Sequence, residues 1–322
     1  MNAHPDLVVI GQLTLDDVVK FDQLPILDSP GGSGLYALAG ASLYDEPAKL
    51  GFITRLGNDY LLEHIFDGLH GRLDTQGVKR LQAPSIHIWS MFDRKGNRYF
   101  IIQRWGSYDD VMGIYPEDIP PAYQESGSFL VAAFPFDWQS RVIEALPAGK
   151  LIAVDPHFQG VYPQNRERWY DLLKKINVFL PSEEELLRFY GIQRQASLEG
   201  YLPFLKELSA QGPEVVCVKL GERGALLYDR TVEKSWHVPA CPMEAVVDVT
   251  GCGDAFCGGF MASYALDRDS FQAAMHGAVS ASFNLEDYGV LHNYSVDHQR
   301  VKHRFAAFSA TLRESAQQLQ VS

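Results

Sequence analysis

The chain has 322 residues, of which 46% are hydrophobic and 21% are charged, the proportions of an ordinary globular protein. The 40 acidic residues outnumber the 28 basic ones, so the formal net charge is -12 and no overall positive field attracts nucleic acid or an anionic membrane. These values exclude a disordered chain and a small disulfide scaffold, and we expect neither a nucleic-acid nor a membrane partner. A few local amides can still bind an anionic small molecule.

The cysteines and the start of the chain indicate the compartment. The four cysteines form no C-x-x-C pair, which is typical of free thiols in a reducing environment. The first residues include no basic region, and the apolar stretch Leu7–Ile10 is far too short for a signal peptide or a membrane span. We therefore expect a cytoplasmic protein.

Short apolar runs alternate with longer segments of helical periodicity. The runs that read as buried strands are residues 7–10, 129–133, 151–154, 178–180 and 215–220. The segments with helical spacing are residues 36–43, 61–73, 138–146, 166–175, 183–190 and 198–209. Strands that are apolar on both sides and separated by helices are typical of a parallel sheet covered on both faces. The sequence therefore predicts an α/β fold.

Two segments depart from this alternation. Residues 85–104 alternate in polarity on both sides of a turn at residues 93–97, which predicts a β-hairpin, and residues 13–23 are also strand-like. We expect these strands to form a small lid that also mediates a homodimer; an ordinary hairpin at the edge of a sheet is the alternative. The expected division of the chain is a lid of residues 13–33 and 85–105 and a large domain of residues 1–12, 34–84 and 106–322.

Residues 248–260 carry the strongest chemical signal. Gly251 and Gly253 allow a tight turn with converging backbone amides, and the apolar residues 255–266 predict a buried helix that begins there. Free amides and the helix dipole together bind an anion, and Asp254 stands where it can face a hydroxyl that attacks a phosphoryl group. We also expect Gly253 to need dihedral angles that other residues avoid. The alternative is a plain strand-to-helix turn capped by Asp254.

The segment Asp248-Val249-Thr250-Gly251-Cys252-Gly253-Asp254 resembles the C-terminal signature of the ribokinase (PfkB) family of carbohydrate and nucleoside kinases, usually Asp-Thr-x-Gly-Ala-Gly-Asp. Further motifs occur in the family's order at residues 31–34, 55–59, 74–78, 181–185 and 218–224. The resemblance covers roughly residues 7–290. It implies a three-layer ribokinase-like fold with a central, mostly parallel sheet and a small β-sheet lid, and ATP-dependent phosphorylation of a hydroxymethyl group.

The resemblance also implies catalytic and metal-binding roles for individual residues. The base that deprotonates the acceptor hydroxyl falls on Asp254, and the anion hole falls on the amides of Gly251, Cys252 and Gly253. Glu185 matches the glutamate that helps to place Mg²⁺ and its waters around the phosphates. Ser182 and Glu185 also form a capping-box pattern, so Glu185 has a purely structural alternative.

Other positions carry over to the substrate, the nucleotide and a monovalent cation. Asp16 matches the aspartate that holds substrate hydroxyls, with Gly32 as the glycine beneath them; a solvated strand position is the alternative for Asp16. The residues that fall on the strand and loop flanking ATP are Lys219, Gly221 and Gly224. The residues that fall where many members bind a monovalent cation such as K⁺ are Asp248 and Val249.

Departures from the family pattern bear on the acceptor. Tyr36 replaces a substrate-binding asparagine, Ser182 replaces the asparagine of Asn-x-x-Glu, and His157 replaces the asparagine of the Asp-Pro-Asn-x-Arg motif. Loss of a substrate-binding amide argues against ribose or a simple ketohexose bound in the usual way, because unpaired hydroxyls are costly. Tyr36, with Trp89 and His87, could stack on a sugar face or a nucleobase, or could only pack within the protein.

Three functions remain open from the sequence. The first is an ATP- and Mg²⁺-dependent kinase that phosphorylates a hydroxymethyl group of a sugar or sugar derivative. The second is a nucleoside kinase of the same fold, favoured by aromatic stacking. The third is a relative that binds a ligand without catalysis, which the retention of Asp254, Gly251, Gly253 and Glu185 opposes.

Overall fold

The computed structural model describes residues 4–21, 23–60, 65, 66, 69, 71–94, 98–103 and 113–315. Within these residues a nine-stranded sheet has the order β13-β12-β11-β10-β9-β8-β1-β4-β5, which is parallel from β11 to β5 and antiparallel at β12 and β13. Its strands are β1 (Leu7–Ile10), β4 (Leu50–Leu56), β5 (Leu73–Arg80), β8 (Ser128–Val131), β9 (Leu151–Val154), β10 (Val178–Phe179), β11 (Val215–Lys219), β12 (Ala225–Asp229) and β13 (Lys234–Val238).

The described residues also form a four-stranded sheet of order β3-β2-β6-β7. Its strands are β2 (Thr14–Val19), β3 (Ile26–Gly31), β6 (His87–Phe92) and β7 (Arg98–Gln103). Strands β6 and β7 are antiparallel, which confirms the predicted hairpin, and β2 pairs with β6, so both predicted lid segments lie in one sheet. The exact domain boundaries stay a prediction.

Eight α-helices among the described residues cover the large sheet. They are α1 (Ser33–Ser42), α2 (Phe136–Ala145), α3 (Arg166–Leu173), α4 (Glu183–Tyr190), α5 (Leu202–Ala210), α6 (Cys252–Asp267), α7 (Ser270–Asn284) and α8 (His298–Ser315). Alternate residues of β1 enter two separate cores, Leu7 and Val9 with α1, α6, α7 and α8, and Val8 and Ile10 with α2 to α5. The predicted α/β fold with a mostly parallel sheet covered on both faces is confirmed.

The buried elements agree best with the prediction. Strands β1 and β9 and helix α4 have the predicted bounds, because unbroken apolar runs and a capping box define their ends. The predicted helix at residues 61–73 lies largely outside the described residues. Its last residue, Leu73, begins β5 instead, and the half-polar composition of β5 gives no buried-strand signal.

The small sheet has two different faces. Ile88 and Ile102 pack against the buried Ile86, as do Leu81, Ala83 and Trp138 of the large domain. Side chains alternate along a strand, so Trp89 and Ile101, which pair across β6 and β7, lie on the opposite face, and both are partly exposed. The small sheet therefore covers the large domain with one face and presents apolar side chains on the other.

The lid also touches the segment after α7. The Tyr288 hydroxyl donates to Gln23 Oε1 at 3.1 Å, and the Lys20 ammonium lies 4.2 Å from the centre of the Tyr288 ring. Among the described helices we find none that is both long and apolar enough to cross a membrane.

Candidate active site

Lys219 and the turn before α6, both predicted to form the site, lie at the carboxyl edge of the large sheet. Parallel strands end together there, so residues far apart in sequence come to one edge. Gly11 follows β1, Asp155 follows β9, Ser182 comes shortly after β10, and Lys219 ends β11. Helix α6 begins beside them at Cys252, as the contact between Lys219 and Cys257 demonstrates.

The turn before α6 presents free backbone amides. Asp248 Oδ1 accepts hydrogen bonds from the Thr250 amide at 3.3 Å and the Thr250 hydroxyl at 3.0 Å, and Gly251 then adopts φ 73°, a left-handed conformation. Within the described part of the chain, the amides of Gly251 and Gly253 donate no hydrogen bond, whereas that of Cys252 donates to the Val249 carbonyl at 3.4 Å. Unsatisfied amides at the start of a 16-residue helix provide an anion site.

Asp254 is the third residue of α6, directly after the turn with the free amides, and its side chain is half-buried. Its charge raises the pKa of Cys252 and Cys257 in addition to the larger effect of burial, which takes that of Cys252 to about 12. Both thiols are therefore neutral near pH 7.

The expectation of unusual dihedral angles at Gly253 is wrong. The left-handed residue is Gly251, whereas Gly253 lies inside α6 with ordinary negative φ. The atoms nearest to a Cβ added at Gly253 belong to the Lys219 side chain, with Nζ at 3.6 Å, an ordinary van der Waals contact. The backbone of the helix would therefore accept other residues at this position.

A buried polar cluster adjoins the anion site. The Lys219 ammonium donates to Asp155 Oδ1 at 2.7 Å and to Cys257 Sγ at 3.3 Å. Burial alone would lower the pKa of Lys219, but Asp155, Cys257 and Glu185 around it raise that pKa well above its usual value. A permanently charged ammonium therefore lies under Gly253, next to the free amides.

Glu185 completes the capping box that was the structural alternative for it, and its role at a metal stays a prediction. Its Oε2 accepts a hydrogen bond from the Ser182 amide at 2.7 Å, and Ser182 Oγ accepts one from the Glu185 amide at 3.2 Å, which completes the capping box. Burial, aided by the nearby Asp155 carboxylate, raises the pKa of Glu185 to about 7. Such a carboxyl group is readily ionised by a cation bound close to it.

The lid contributes Asp16, the third residue of β2. Asp16 is 7% exposed, and its Oδ1 accepts a hydrogen bond from the Thr14 hydroxyl at 2.7 Å. A Cβ on Gly31 would lie 2.4 Å from Asp16 Oδ2, and the next residue, Gly32, has φ 100° and begins the turn into α1. Asp16 is therefore a buried carboxylate over a glycine turn and not a solvated strand residue.

The structure separates the remaining predicted residues. Tyr36 is 4% exposed and its ring packs on Gly251. Trp89 is 39% exposed on the outer face of the lid, where its indole nitrogen donates to Asp17 Oδ2 at 2.7 Å. A Cβ on Gly221 would meet nothing, whereas one on Gly224 would lie 2.1 Å from the Val238 carbonyl, so Gly224 serves the turn between strands.

Sequence reasoning missed two residues of this site. The partnership of Asp155 with Lys219 was not predicted, although a polar residue directly after a buried strand is a signal for the carboxyl edge of a sheet. Asn284, the last residue of α7, donates to the Thr250 carbonyl at 2.6 Å. A single asparagine at a helix end gives no comparable signal in the sequence.

The chain is similar to known kinases over most of its length. The family model described as pfkB family carbohydrate kinase matches residues 12–296. A cytidine kinase from Thermococcus kodakarensis is 29% identical over 286 residues, covering 88% of this chain and 97% of that protein. A deoxyribokinase from Salmonella typhimurium is 27% identical over 305 residues, covering 90% of this chain and 95% of that protein.

Solved structures share the fold. The Arabidopsis thaliana ribokinase complexed with ribose and ATP has a TM-score of 0.74 at 22% identity and covers 94% of this chain and 99% of its own. The ribokinase from Giardia lamblia has a TM-score of 0.76 at 19% identity and covers 95% of this chain and 100% of its own. The three-layer fold with a small sheet, predicted from the motifs, is confirmed by these likenesses.

Proposed function

Because the chain belongs to the pfkB family of carbohydrate kinases, we propose that it transfers the terminal phosphoryl group of ATP to a hydroxymethyl group of a sugar or sugar derivative. The observation that carries this proposal is the half-buried Asp254 in the first turn of α6, beside the free amides of Gly251 and Gly253. A positioned carboxylate next to an anion site is the arrangement that phosphoryl transfer requires.

In this proposal Asp254 accepts the proton of the acceptor hydroxyl while the oxygen of that hydroxyl bonds to the terminal phosphorus of ATP. The free amides of Gly251 and Gly253 hold the charge of the transferred group while its bond to the ADP oxygen breaks, whereas the Cys252 amide is already bonded to the Val249 carbonyl. The Lys219 ammonium, fixed by Asp155, adds a positive charge at the same place. The site therefore contributes a base, hydrogen-bond donors and a cation from its own residues.

The acceptor site is assigned to the lid side. Asp16 would accept hydrogen bonds from substrate hydroxyls, and Gly32 would let the substrate approach the backbone. Tyr36 packs under Gly251, so its proposed part in substrate binding is limited to shaping the floor beside the anion site. The partly exposed Trp89 lies on the outer face of the lid and is not assigned to the acceptor.

The residues present fit a nucleotide and Mg²⁺. Asp155 and Glu185 place two carboxyl groups around the ammonium of Lys219, and burial together with the Asp155 carboxylate raises the pKa of Glu185. Glu185 would help to hold Mg²⁺ through water, and Mg²⁺ when bound neutralises phosphate charge. Gly221, open on its outer side, and Lys219 would flank the nucleotide; the predicted role of Gly224 is confined to shaping that loop.

The residues also fit a monovalent cation such as K⁺. The Asp248 side chain is 5% exposed, and no basic side chain in the described part of the chain forms an ion pair with it. A buried carboxylate without a cationic side chain is stabilised by a bound ion. We assign this ion to the Asp248 carboxylate and the Val249 carbonyl, and its test is the dependence of turnover on K⁺ with choline as the control ion.

A nucleoside kinase is the second candidate, and the cytidine kinase relative favours it. Release of ADP with free pentoses, hexoses and nucleosides, each tested separately, distinguishes the two. We expect acceptor-dependent ADP release that is absent from an Asp254→Asn variant. Release with nucleosides alone would replace the first candidate by the second, and no release with any sugar or nucleoside would contradict both.

We also propose a homodimer formed through the lid. Trp89, Tyr99 and Ile101 share the outer face of the small sheet and are 39%, 55% and 47% exposed. Contiguous exposed apolar side chains on a sheet face are typical of an interface. Light scattering should give the mass of a dimer for the wild type and of a monomer for Ile101→Lys; a monomeric wild type would contradict the proposal.

A further inference from the structure

Asn284 contacts the anion-site turn on both sides of Gly251. It is the last residue of α7 and is 1% exposed. Its side-chain Nδ2 donates to the Thr250 carbonyl oxygen at 2.6 Å and lies 3.4 Å from Cys252 Sγ. One buried amide group therefore touches the residue before Gly251 and the residue after it.

The bond to Thr250 fixes the direction of the Gly251 amide. The Thr250–Gly251 peptide is trans, because the cis peptide in the described chain is Glu46–Pro47. In a planar trans peptide the carbonyl oxygen and the following N–H point in opposite directions. When Asn284 holds the Thr250 oxygen toward the interior, the Gly251 N–H must point outward, and it donates no hydrogen bond within the described residues.

A second asparagine holds Asn284 in this orientation. Asn293, 2% exposed, donates from Nδ2 to Asn284 Oδ1 at 3.0 Å. An amide oxygen only accepts and an amide nitrogen only donates, so this bond leaves Asn284 Nδ2 to face Thr250. The Val247 amide also donates to the Leu285 carbonyl at 2.8 Å, which ties the segment before the turn to the end of α7.

We propose that Asn284 is a positioning residue for phosphoryl transfer: it turns the Gly251 N–H toward the phosphate and so keeps the anion site formed in the absence of ligand. This inference rests on the proposed kinase function, since it assigns the anion site to the nucleotide phosphates. Asn284 itself touches no phosphate, and the end of α7 thereby becomes part of the phosphate-binding apparatus.

The test compares anion binding with folding in Asn284→Leu. Leucine has a similar size but no donor, so the Thr250 peptide is free to rotate. Calorimetric titration with a non-hydrolysable ATP analogue and with inorganic tripolyphosphate should give at least about tenfold weaker binding of both, as expected for losing one oriented donor to a charged group. Ser282→Ala is the matched control, because Ser282 is buried in the same helix and donates to the Val279 carbonyl instead.

The outcomes separate a positioning role from a purely structural one. We expect Ser282→Ala to bind both anions within twofold of the wild type even where its melting temperature falls as much as that of Asn284→Leu. Equal weakening in both variants, or unchanged anion binding in Asn284→Leu, overturns the inference. If Asn284→Leu does not fold, Asn293→Leu is tested instead, because it removes the hydrogen bond that orients the Asn284 amide. The inference then requires that Asn293→Leu weakens tripolyphosphate binding. A wild type that binds neither anion would instead contradict the proposed function.

Discussion

The aromatic ring of Tyr36 lies directly against Gly251, so that a Cβ added to Gly251 would sit 2.2 Å from the Cγ and Cδ1 atoms of the ring. Gly251 also has φ 73°, in the left-handed region that favours glycine. Two contacts therefore fix the anion-site turn: the Tyr36 ring packs on Gly251, and the Asn284 side chain donates a hydrogen bond to the Thr250 carbonyl. A residue expected to contact the acceptor instead packs against the turn that would hold the phosphate.

Gly251→Ala should destabilise the protein for two separable reasons. The left-handed conformation costs about 1–2 kcal/mol for alanine, and the clash with Tyr36 costs about 1–3 kcal/mol more. Urea unfolding of Gly251→Ala, Tyr36→Ala and the double variant measures the second contribution. We expect the double variant to be about 1–3 kcal/mol more stable than the two single changes predict by addition. Strict additivity would mean that the ring and the turn are not in contact in solution.

Whereas Gly251→Ala should mainly lower the stability of the protein, Gly253→Val should impair catalysis more than folding. The position is helical and an added Cβ would make ordinary van der Waals contact with the Lys219 side chain, so the fold tolerates a side chain there. The branched methyl groups would occupy the space above the free amides, and we expect kcat/KM for ATP to fall by at least about tenfold, equivalent to roughly 1.4 kcal/mol. The melting temperature should stay within a few degrees of the wild type. Unchanged turnover would exclude this turn as the anion site.

The two glycines illustrate what the sequence can and cannot predict. The motif from Asp248 to Asp254 locates the turn and the helix after it, because spacing along one segment determines them. The motif does not tell which glycine adopts the left-handed conformation, because that depends on the contacts of Tyr36 and Asn284 with the turn. Both of these residues come from distant segments. The unbroken apolar strands were predicted to within a few residues for the same local reason.

Elements with little local signal were not predicted. Strand β3 includes Asp28, Ser29 and Pro30, which favour a turn, and it forms because β2 offers an antiparallel partner. The ion pair of Lys219 with Asp155 joins residues 64 positions apart, and only the sheet order β11-β10-β9 brings them together. Long-range pairing of this kind follows from topology and not from any single segment.

Glu185 should make the metal-free protein less stable as the pH rises. Its pKa is about 7 in the folded protein and near 4.5 when unfolded, so the folded state binds more protons between these values. Its stabilising protonation is complete below pH 4.5 and lost as the pH passes through about 7. The loss amounts to roughly 3 kcal/mol at most, from about 1.4 kcal/mol per pKa unit.

Glu185→Gln isolates this effect because glutamine keeps the capping box and cannot ionise. Melting temperatures measured in EDTA from pH 5 to pH 8.5 should fall less steeply for Glu185→Gln than for the wild type. Addition of Mg²⁺ with an ATP analogue should stabilise the wild type more than the variant at pH 8. Parallel pH profiles of the two proteins would show that Glu185 does not titrate in this range.

Asp254→Asn tests the catalytic base. The first turn of α6 favours a negative charge at Asp254, and the half-buried carboxylate remains accessible to an acceptor hydroxyl. Phosphoryl transfer has a loose transition state in which the hydroxyl becomes acidic late, so a weak but well-placed base suffices. Asparagine keeps the shape and removes the charge, and we expect kcat to fall by on the order of a hundredfold or more.

Binding distinguishes the loss of the base in this variant from damage to the site. Asp254→Asn should bind ATP within a few-fold of the wild type by calorimetry, because the amides of Gly251 and Gly253 and the Lys219 ammonium are unchanged. A matched Asp16→Asn variant should raise KM for the acceptor, since Asp16 is assigned to hold substrate hydroxyls and not to take the proton. If Asp254→Asn turned over within a few-fold of the wild type while Asp16→Asn lost its kcat, the roles of the two carboxylates would have to be exchanged, because these are the two carboxylates assigned to the acceptor hydroxyls.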